Sequence, residues 1–271
     1  MGTAILWTII YILWGVIGYI LTYKYYNRMQ RGMKLALWVA ATIVTLFWLL
    51  YHYVMFDLVG LTWMIRILTH IRMEFSSILL GAFGALIQIA TNKKRKPKDF
   101  VSRHNGLVLA IFLILPVYVN AIVFPIPQNK MGDKWKDGVC LQTTGKSCSP
   151  ACAATLIYHY LGVKENEADV SRAVFCSNRG TFMWDVGRYL KRRGLKVRVL
   201  STITTPEDPP VPSIAGVGLG GKDGISHSII IMNKTKDTFT IIDPLQGRLE
   251  LTKERTYQNY YFRGDLLHVT K

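Results

Sequence analysis

The sequence predicts a four-helix transmembrane region followed by an α+β domain in which helices pack on an antiparallel sheet. Two observations predict this fold class. The apolar residues of the 271-residue chain are concentrated before residue 125. After that point helical patterns come first and strand patterns second, which is typical of α+β domains. The first part therefore suits lipid, and the second suits a domain with its own core.

Four apolar stretches in residues 1–124 are long enough, or nearly so, for a helix that crosses a bilayer, which takes about 20 residues. They are 4–23, 35–56, 75–90 and 105–124. The third stretch is short and contains Gly81 and Gly84, but small residues are common where membrane helices approach closely. No basic region precedes the first stretch and basic residues follow it, which favours a retained anchor over a cleaved signal peptide.

Basic residues in the short loops predict the orientation of these spans. The loop after the first span carries Lys24, Arg28, Arg31 and Lys34, and the loop after the third carries six more between residues 93 and 103. Loops rich in Lys and Arg stay in the cytoplasm. With four spans, everything after residue 125 emerges on the outer side, so the C-terminal domain is expected to be extracytoplasmic.

Two connecting segments have patterns of their own. Residues 57–74 place apolar side chains at helical spacing, which predicts a helix in the membrane interface, with a structured loop as the alternative. Residues 125–139 mix proline, glycine and charge without periodicity, as in a short tether. The domain itself is then expected over residues 140–271.

The formal net charge of +16 does not by itself indicate nucleic-acid binding. Of the 33 Lys and Arg residues, 12 precede residue 125, where loop orientation and anionic headgroups explain them. The rest of the chain has 21 bases against 14 acids and does not interleave aromatic and basic side chains as a stacking platform would. We expect a lipid bilayer as a partner and no nucleic acid.

The domain opens with a well-delimited helix. The pattern over 148–161 has Pro150 in its first turn and stops at Gly162. Cys148 therefore lies at a helix N-terminus, where free backbone amides and the helix dipole stabilise a thiolate. Further helices are predicted over 166–175 and 182–193, and strands over 197–200, 225–232 and 238–243.

The strand region supplies a base for this thiol. If the turn that follows the strand of His227 is centred on Thr235, His227 pairs directly with Asp243, whose carboxylate can accept the imidazole N–H. A two-residue loop would instead set Asp243 against Ser228. A cysteine, a histidine or an aspartate taken alone is more often structural, so the interpretation depends on the combination of the three.

Two segments that contain these residues resemble a known family. CLQTTGKSCSPACAATLIYHYLG carries Gln142 six positions before Cys148, and SHSIIIMNKTKDTFTIIDPLQG carries His227 sixteen residues before Asp243. Both are similar to the active-site segments of the papain-like double-glycine, or bacteriocin-leader-processing, cysteine peptidases, and NRGTFMWDVGRYLKRRGLKV resembles the helix between them. The resemblance covers residues 140–264, about half of the chain.

The resemblance implies a papain-like cysteine peptidase domain, here in a membrane-anchored stand-alone form. It implies that Cys148 is the nucleophile, His227 the general base and acid, and Asp243 the group that orients the imidazole. It also implies that the Gln142 side-chain amide and the Cys148 backbone N–H receive the developing oxyanion. An integral protein of a bacterial inner or cytoplasmic membrane is the expected setting.

Three functions remain open on these residues. The first is cleavage of peptide bonds in exported or membrane-associated proteins by an acyl-enzyme route, and the second is thiol acyl transfer or transpeptidation. The third is a peptide-binding module without turnover, because Ser147 and Ser149 stand where relatives usually carry an acidic residue and a glycine. The expected partners are a peptide or protein substrate and the bilayer, with secretion machinery as a further candidate.

Other sites gain little support from the sequence. GVGLGGKD at 216–223 nearly matches a phosphate-binding loop, but Asp223 replaces the needed Ser or Thr and a strand follows, so we predict a mobile loop beside the site. No metal-binding spacing occurs, and neither a metal nor a cofactor is expected. In an oxidising compartment two of Cys140, Cys152 and Cys176 could bridge, whereas Cys152 could instead be buried packing.

Overall fold

The computed structural model of the chain describes residues 2–53, 76–92, 105–111, 121–201, 208–222 and 224–271. They form two compact units, a helical one before residue 123 and an α+β one from residue 123 onward. The helical N-terminal region and the α+β domain with an antiparallel sheet confirm the predicted fold class in this form. The predicted interfacial segment 57–74 and part of the stretch 105–124 lie outside the described residues.

The helical unit contains α1 (Gly2–Tyr25), α2 (Arg31–Tyr53) and α3 (Ser76–Asn92), with further helical residues at 105–111 and 121–122. The three numbered helices fall on the apolar stretches 4–23, 35–56 and 75–90. Within the described ranges, no helix combines the length and the apolarity that crossing a membrane requires. The four spans and the domain limits stay predictions.

Glycines in α3 lie where helices of this unit approach closely. A Cβ added at Gly81 would meet the carbonyl oxygen of Gly15 in α1, and one added at Gly84 would meet that of Gly106. The Gly106 amide also donates a hydrogen bond to the buried side-chain oxygen of Gln88 at 2.9 Å. Such close backbone contact gains dispersion energy and depends on the missing side chains, as expected for Gly81 and Gly84.

The α+β unit has a six-stranded antiparallel sheet. Its helices are α4 (Cys148–Leu161), α5 (Glu167–Ala173), α6 (Met183–Arg192) and α7 (Lys253–Asn259). In order across the sheet, its strands are β3 (Lys196–Ser201), β8 (Tyr260–Thr270), β4 (Ser213–Leu219), β5 (Ile225–Lys234), β6 (Thr238–Asp243) and β7 (Gly247–Thr252). Part of the predicted tether 125–139 forms β1 (Lys134–Lys136) and the start of β2 (Val139–Leu141).

α4 is the central helix of this unit. It packs against β2, β5, α5 and α6, and its residues 148–157 are all buried. Leu156 of α4 shares an apolar cluster with Ile230 and Ile242 of the sheet. The helix ends where the sequence predicts, because Gly162 adopts φ 70° in the left-handed region that favours glycine. The packing fixes α4 against β5, so the first turn of the helix lies beside that strand.

The β5–β6 hairpin corrects the predicted register. Ile230 pairs with Ile242, and the register shifts by one residue between Ile231 and Asn233, nearer the turn. Extended to the end of β6, this pairing sets Asp243 opposite Ile229 and not opposite His227. The difference is two residues, and because side chains alternate along a strand, a shift of two keeps His227 and Asp243 on one face. Their side chains can therefore meet diagonally.

The glycine-rich segment 216–223 is not the loop that the sequence predicts. Its residues up to Leu219 belong to β4, which pairs with β5 on one side and with β8 on the other. Gly216 and Gly218 lower the strand propensity of the segment, but two neighbouring strands satisfy its backbone. Only the turn after Leu219 leaves the sheet, and Asp223 lies outside the described residues.

Candidate active site

Cys148 is the first residue of α4 and is 8% exposed. The Ser147 side chain does not cap the helix, and its hydroxyl instead contacts the hydroxyl and the carbonyl of Thr144. The first amides of any α-helix lack an acceptor within the helix, and their partial positive charge favours an anion nearby. The sulfur thus lies where a thiolate is stabilised and remains partly accessible.

His227, near the start of β5, connects this thiol to a carboxylate. Its Nε2 lies 2.8 Å from Oδ1 of Asp243. Burial opposes ionisation of the Cys148 thiol, but the imidazole lowers the pKa of that thiol. Because Nε2 is taken by the carboxylate, Nδ1 is the ring nitrogen that remains for the sulfur. The structure therefore brings together the three side chains that the sequence analysis singled out.

The carboxylate of Asp243 is fully buried and is held by several donors. The Leu245 amide donates to Oδ1 at 2.8 Å, and the Tyr260 hydroxyl donates to Oδ2 at 2.8 Å. The Gln246 side-chain amide donates to Oδ2 at 3.4 Å. Burial raises the pKa of a carboxyl group, but the hydrogen bonds from His227, Leu245 and Tyr260 outweigh it and hold the pKa of Asp243 below its ordinary value.

The thiol and the imidazole favour each other's charged form. Burial opposes a thiolate, but hydrogen bonds and charge from His227, with hydrogen bonds from Ser228, lower the pKa of Cys148. Burial also opposes an imidazolium, but hydrogen bonds with Asp243 and Cys148 outweigh it and raise the pKa of His227 to about 9. The arrangement thus favours a thiolate beside an imidazolium.

Gln142 lies in the loop that leads into α4. Its backbone amide donates to the Pro244 carbonyl at 2.9 Å, which ties this loop to the residue after Asp243. Its side-chain Nε2 donates to the Thr144 carbonyl at 2.8 Å, and its buried Oε1 has no hydrogen-bond partner among the described residues. An amide group has two N–H donors, so a second remains for an oxyanion. That role for Gln142 stays a prediction.

The other three cysteines are free and buried. Burial raises the pKa of Cys140 and that of Cys176 to about 12, and it raises the pKa of Cys152 well above its ordinary value. Because these cysteines are free, no disulfide joins them. Cys152 is packed in the core, which is the second of the two alternatives given for it above. Within the described ranges, no group of three His, Cys, Asp or Glu side chains could hold a metal ion.

Two residues of the site lie outside the set found from sequence. Tyr260 reaches Asp243 from β8, and the Ser228 hydroxyl of β5 contacts that of Ser149, the residue after Cys148. No sequence signal points to Tyr260, because β8 enters the site only through the order of strands in the sheet. Ser228 has a sequence signal, since it follows His227 directly and a two-residue turn would set it opposite Asp243.

A buried carboxylate supports the loop that carries Gln142. Glu167, at the start of α5, is fully buried and accepts a hydrogen bond from the Thr143 amide at 3.0 Å and another from the Thr143 hydroxyl. The same hydroxyl oxygen accepts the Gly132 amide at 2.8 Å. Buried carboxylates are costly unless such donors are present, so this cluster holds the loop in one conformation.

A family model and several solved structures match the α+β unit. The model of the peptidase C39 family matches residues 136–271, half of the chain. The peptidase domain of Streptococcus ComA, a bi-functional ABC transporter involved in a quorum sensing pathway, is 20% identical over 49% of this chain and 96% of that chain, with a TM-score of 0.41. No curated protein matches the chain.

Two further solved structures are similar over the same region. A double glycine motif protease from an AMS/PCAT transporter, in complex with the leader peptide, is 18% identical over 48% of this chain and 89% of that chain, with a TM-score of 0.41. The peptidase domain of Streptococcus mutans ComA is 16% identical over 49% of this chain and 99% of that chain, with a TM-score of 0.38.

Proposed function

Because the chain belongs to the peptidase C39 family and is therefore a cysteine peptidase, a hydrolase, we propose that it cleaves peptide bonds of exported or membrane-associated proteins with Cys148, His227 and Asp243 as its triad. One observation carries the proposal. The Cys148 thiol lies at a helix N-terminus, and the His227 imidazole that lowers its pKa has its Nε2 2.8 Å from a buried carboxylate. This is the arrangement that nucleophilic catalysis by cysteine needs.

The first half of the proposed reaction forms an acyl-enzyme. The Cys148 thiolate attacks the carbonyl carbon of the substrate, and a C–S bond forms. As the tetrahedral intermediate collapses, the C–N bond breaks and the His227 imidazolium gives its proton to the leaving amine. Asp243 keeps the ring oriented and stabilises its positive charge, so the proton is held where the amine departs.

The second half returns the enzyme to its starting state. The neutral His227 takes a proton from a water molecule, which attacks the thioester carbonyl, and the C–S bond breaks. The carboxylic acid leaves, and the thiolate and the imidazolium are restored. In both halves negative charge develops on the carbonyl oxygen, and we assign its stabilisation to the Gln142 side-chain amide and the Cys148 backbone N–H.

A peptide with a double glycine before the cut is the first substrate to test, because both active-site segments resemble those of the double-glycine leader-processing peptidases. The full chain and its Cys148→Ala variant are incubated with such a peptide and with a control in which both glycines are replaced by valine. We expect one cut, after the glycines, by the unaltered chain alone. A Cys148→Ala variant that still cuts would remove the thiol from the mechanism.

The same assay separates the alternative functions. With an added amine acceptor, a peptidase still gives mainly the free acid, whereas an acyltransferase gives mainly the amide. A module without turnover gives neither product from any peptide. Terminal peptide mapping of exported proteins, from cells with the unaltered chain and with Cys148→Ala, then identifies substrates without a choice of motif.

We also propose a membrane location, with the α+β domain on the extracytoplasmic side of a bacterial inner or cytoplasmic membrane. The apolar stretches before residue 125 and the basic loops that follow the first and third stretches support this location. Extraction of membranes with alkaline carbonate tests the anchor, and a protease added to intact spheroplasts tests the side. Release of the chain by carbonate, or protection of the domain in spheroplasts, would contradict the proposal.

A further inference from the structure

Two serine hydroxyls meet beside the reacting groups, and the mechanism above uses neither. Ser149 follows Cys148 in α4, and Ser228 follows His227 in β5. Their Oγ atoms lie 2.8 Å apart, and each residue is 5% exposed. We propose that the pair is a hydroxyl clasp that fixes Cys148 against His227 and, through Ser228, donates a hydrogen bond to the thiolate. Its value for catalysis rests on the proposed function.

The clasp joins the two elements that carry the reacting atoms. Side chains alternate along a strand, so Ser228 lies on the opposite face of β5 from His227, on the face that carries Ile230. Ile230 and Cys152 of α4 belong to one apolar cluster, and the Cys152 sulfur lies 3.5 Å from the Ser228 carbonyl oxygen. The contact between the Ser149 and Ser228 hydroxyls thus joins α4 to β5. It lies one residue after Cys148 on the helix and one residue after His227 on the strand.

The hydrogen bonds of the clasp have one consistent direction. Burial opposes the Cys148 thiolate, but the side chain and the backbone of Ser228 favour it. A hydroxyl group has a single hydrogen to donate but can accept two. When Ser228 gives its hydrogen to the sulfur, Ser149 must donate to the Ser228 oxygen. Chains of this kind polarise their members, so the Ser149 hydroxyl strengthens the bond that Ser228 makes to the thiolate.

The other titratable groups around the Cys148 sulfur lie on β5, β6, α4 and the segment after α5. The His227 imidazole of β5 favours its charged form, and Asp243 of β6 lies behind that imidazole. Cys152 of α4 and Cys176, which follows α5, interact with it electrostatically, but burial raises the pKa of both thiols and keeps them neutral. Replacing Ser149 or Ser228 with alanine leaves all four groups in place, so it removes one hydroxyl group near the sulfur and no titratable group.

The test is the pH dependence of Cys148 alkylation by iodoacetamide in the full chain, read by peptide mass. Ser228→Ala should move the midpoint of the profile to higher pH and lower the labelling rate near neutral pH about tenfold, with the alkaline plateau unchanged. Ser149→Ala should lower the neutral rate about threefold. The double variant should match Ser228→Ala alone, because Ser149 acts through Ser228.

Ser171→Ala is the matched control. Ser171 is 2% exposed, and its Oγ has no hydrogen-bond partner among the described residues, so its removal should leave the midpoint in place. Thermal unfolding followed by circular dichroism identifies variants that fold, and if Ser228→Ala does not fold, Ser149→Ala decides. Unmoved midpoints in the clasp variants, or additive effects in the double variant, would overturn the clasp.

Alkylation needs no substrate, and this separates the clasp from the proposed function. A chain whose midpoints move as described but which cuts no peptide would support the clasp and contradict the peptidase mechanism. A chain that cuts peptides while its midpoints stay in place would do the reverse. The two inferences therefore fail in different measurements.

Discussion

Asp243→Asn removes one negative charge beside His227 and keeps the size of the side chain. The carboxylate is fully buried, 2.8 Å from the imidazole Nε2. In spite of burial, the pKa of His227 is raised from 6.5 to about 9, which corresponds to about 3 kcal/mol in favour of the imidazolium. Asp243 and Cys148 share this effect, so the asparagine variant keeps only the part that comes from the thiolate.

We therefore expect the alkaline limb of kcat/KM to move from near pH 9 to about pH 7 or 8. The direction follows from the proton that is lost. The imidazolium protonates the leaving amine, and without the carboxylate it gives up that proton at lower pH. The maximum should also fall, about 10³-fold, because asparagine holds the imidazole less well in its working orientation.

The assay is the pH dependence of kcat/KM for the double-glycine peptide, measured by chromatography of the products. Asp237→Asn is the matched control, because Asp237 is an exposed carboxylate in the turn between β5 and β6. It removes the same charge from the same hairpin and should leave both limbs in place. An alkaline limb that stays near pH 9 in Asp243→Asn would refute the reasoning, since the raised pKa of His227 would then not depend on this carboxylate.

Three further changes have distinct expected results. Gln142→Ala should lower kcat about 10² to 10³-fold with little change in KM, because it removes an oxyanion donor; initial rates that keep kcat would remove that role. Tyr260→Phe deletes the 2.8 Å donor to Asp243 and makes the carboxylate more basic, so the alkaline limb should move up in pH, and a downward move would contradict the assignment. Glu167→Gln should lower the free energy of unfolding by about 2 kcal/mol in urea, because Thr143 loses a charged acceptor; an unchanged midpoint would count against that support.

Local signals in the sequence located the nucleophile. A proline in the first turn and a glycine after the last fix both ends of α4, and they do so through backbone geometry that depends on few neighbours. The helix observed, Cys148–Leu161, matches the predicted 148–161. The family resemblance drawn from the two active-site segments is confirmed by the match to residues 136–271.

The hairpin of β5 and β6 shows how a predicted side-chain contact can be correct although the predicted strand register is wrong. The predicted direct pairing of His227 with Asp243 is wrong, because the turn is centred after Lys236 and not on Thr235, as the pairing of Lys234 with Phe239 shows. The register shift between Ile231 and Asn233 reduces the resulting offset from three residues to two. The error is an even number of residues, and strand periodicity keeps the two side chains on one face. The 2.8 Å contact therefore forms diagonally.

Residues supplied by distant elements could not be found from local pattern. Tyr260 reaches Asp243 because β8 lies between β3 and β4, an order that depends on the packing of the whole sheet. Glu167 supports Thr143 across 24 residues of chain. The glycines of β4 led to the wrong prediction of a loop. The segment forms a strand because its pairing with β5 and β8 outweighs its weak strand propensity.

The rate at which iodoacetamide labels Cys148 near neutral pH tests the central claim most directly. If the imidazole of His227 sustains the thiolate, His227→Ala should slow labelling about tenfold or more, with Cys148→Ala as the blank. The labelling rate of the unaltered chain should then fall to the neutral-pH rate of the variant only at acidic pH, where the thiolate is protonated. Equal rates at neutral pH in the unaltered chain and in His227→Ala would contradict the account.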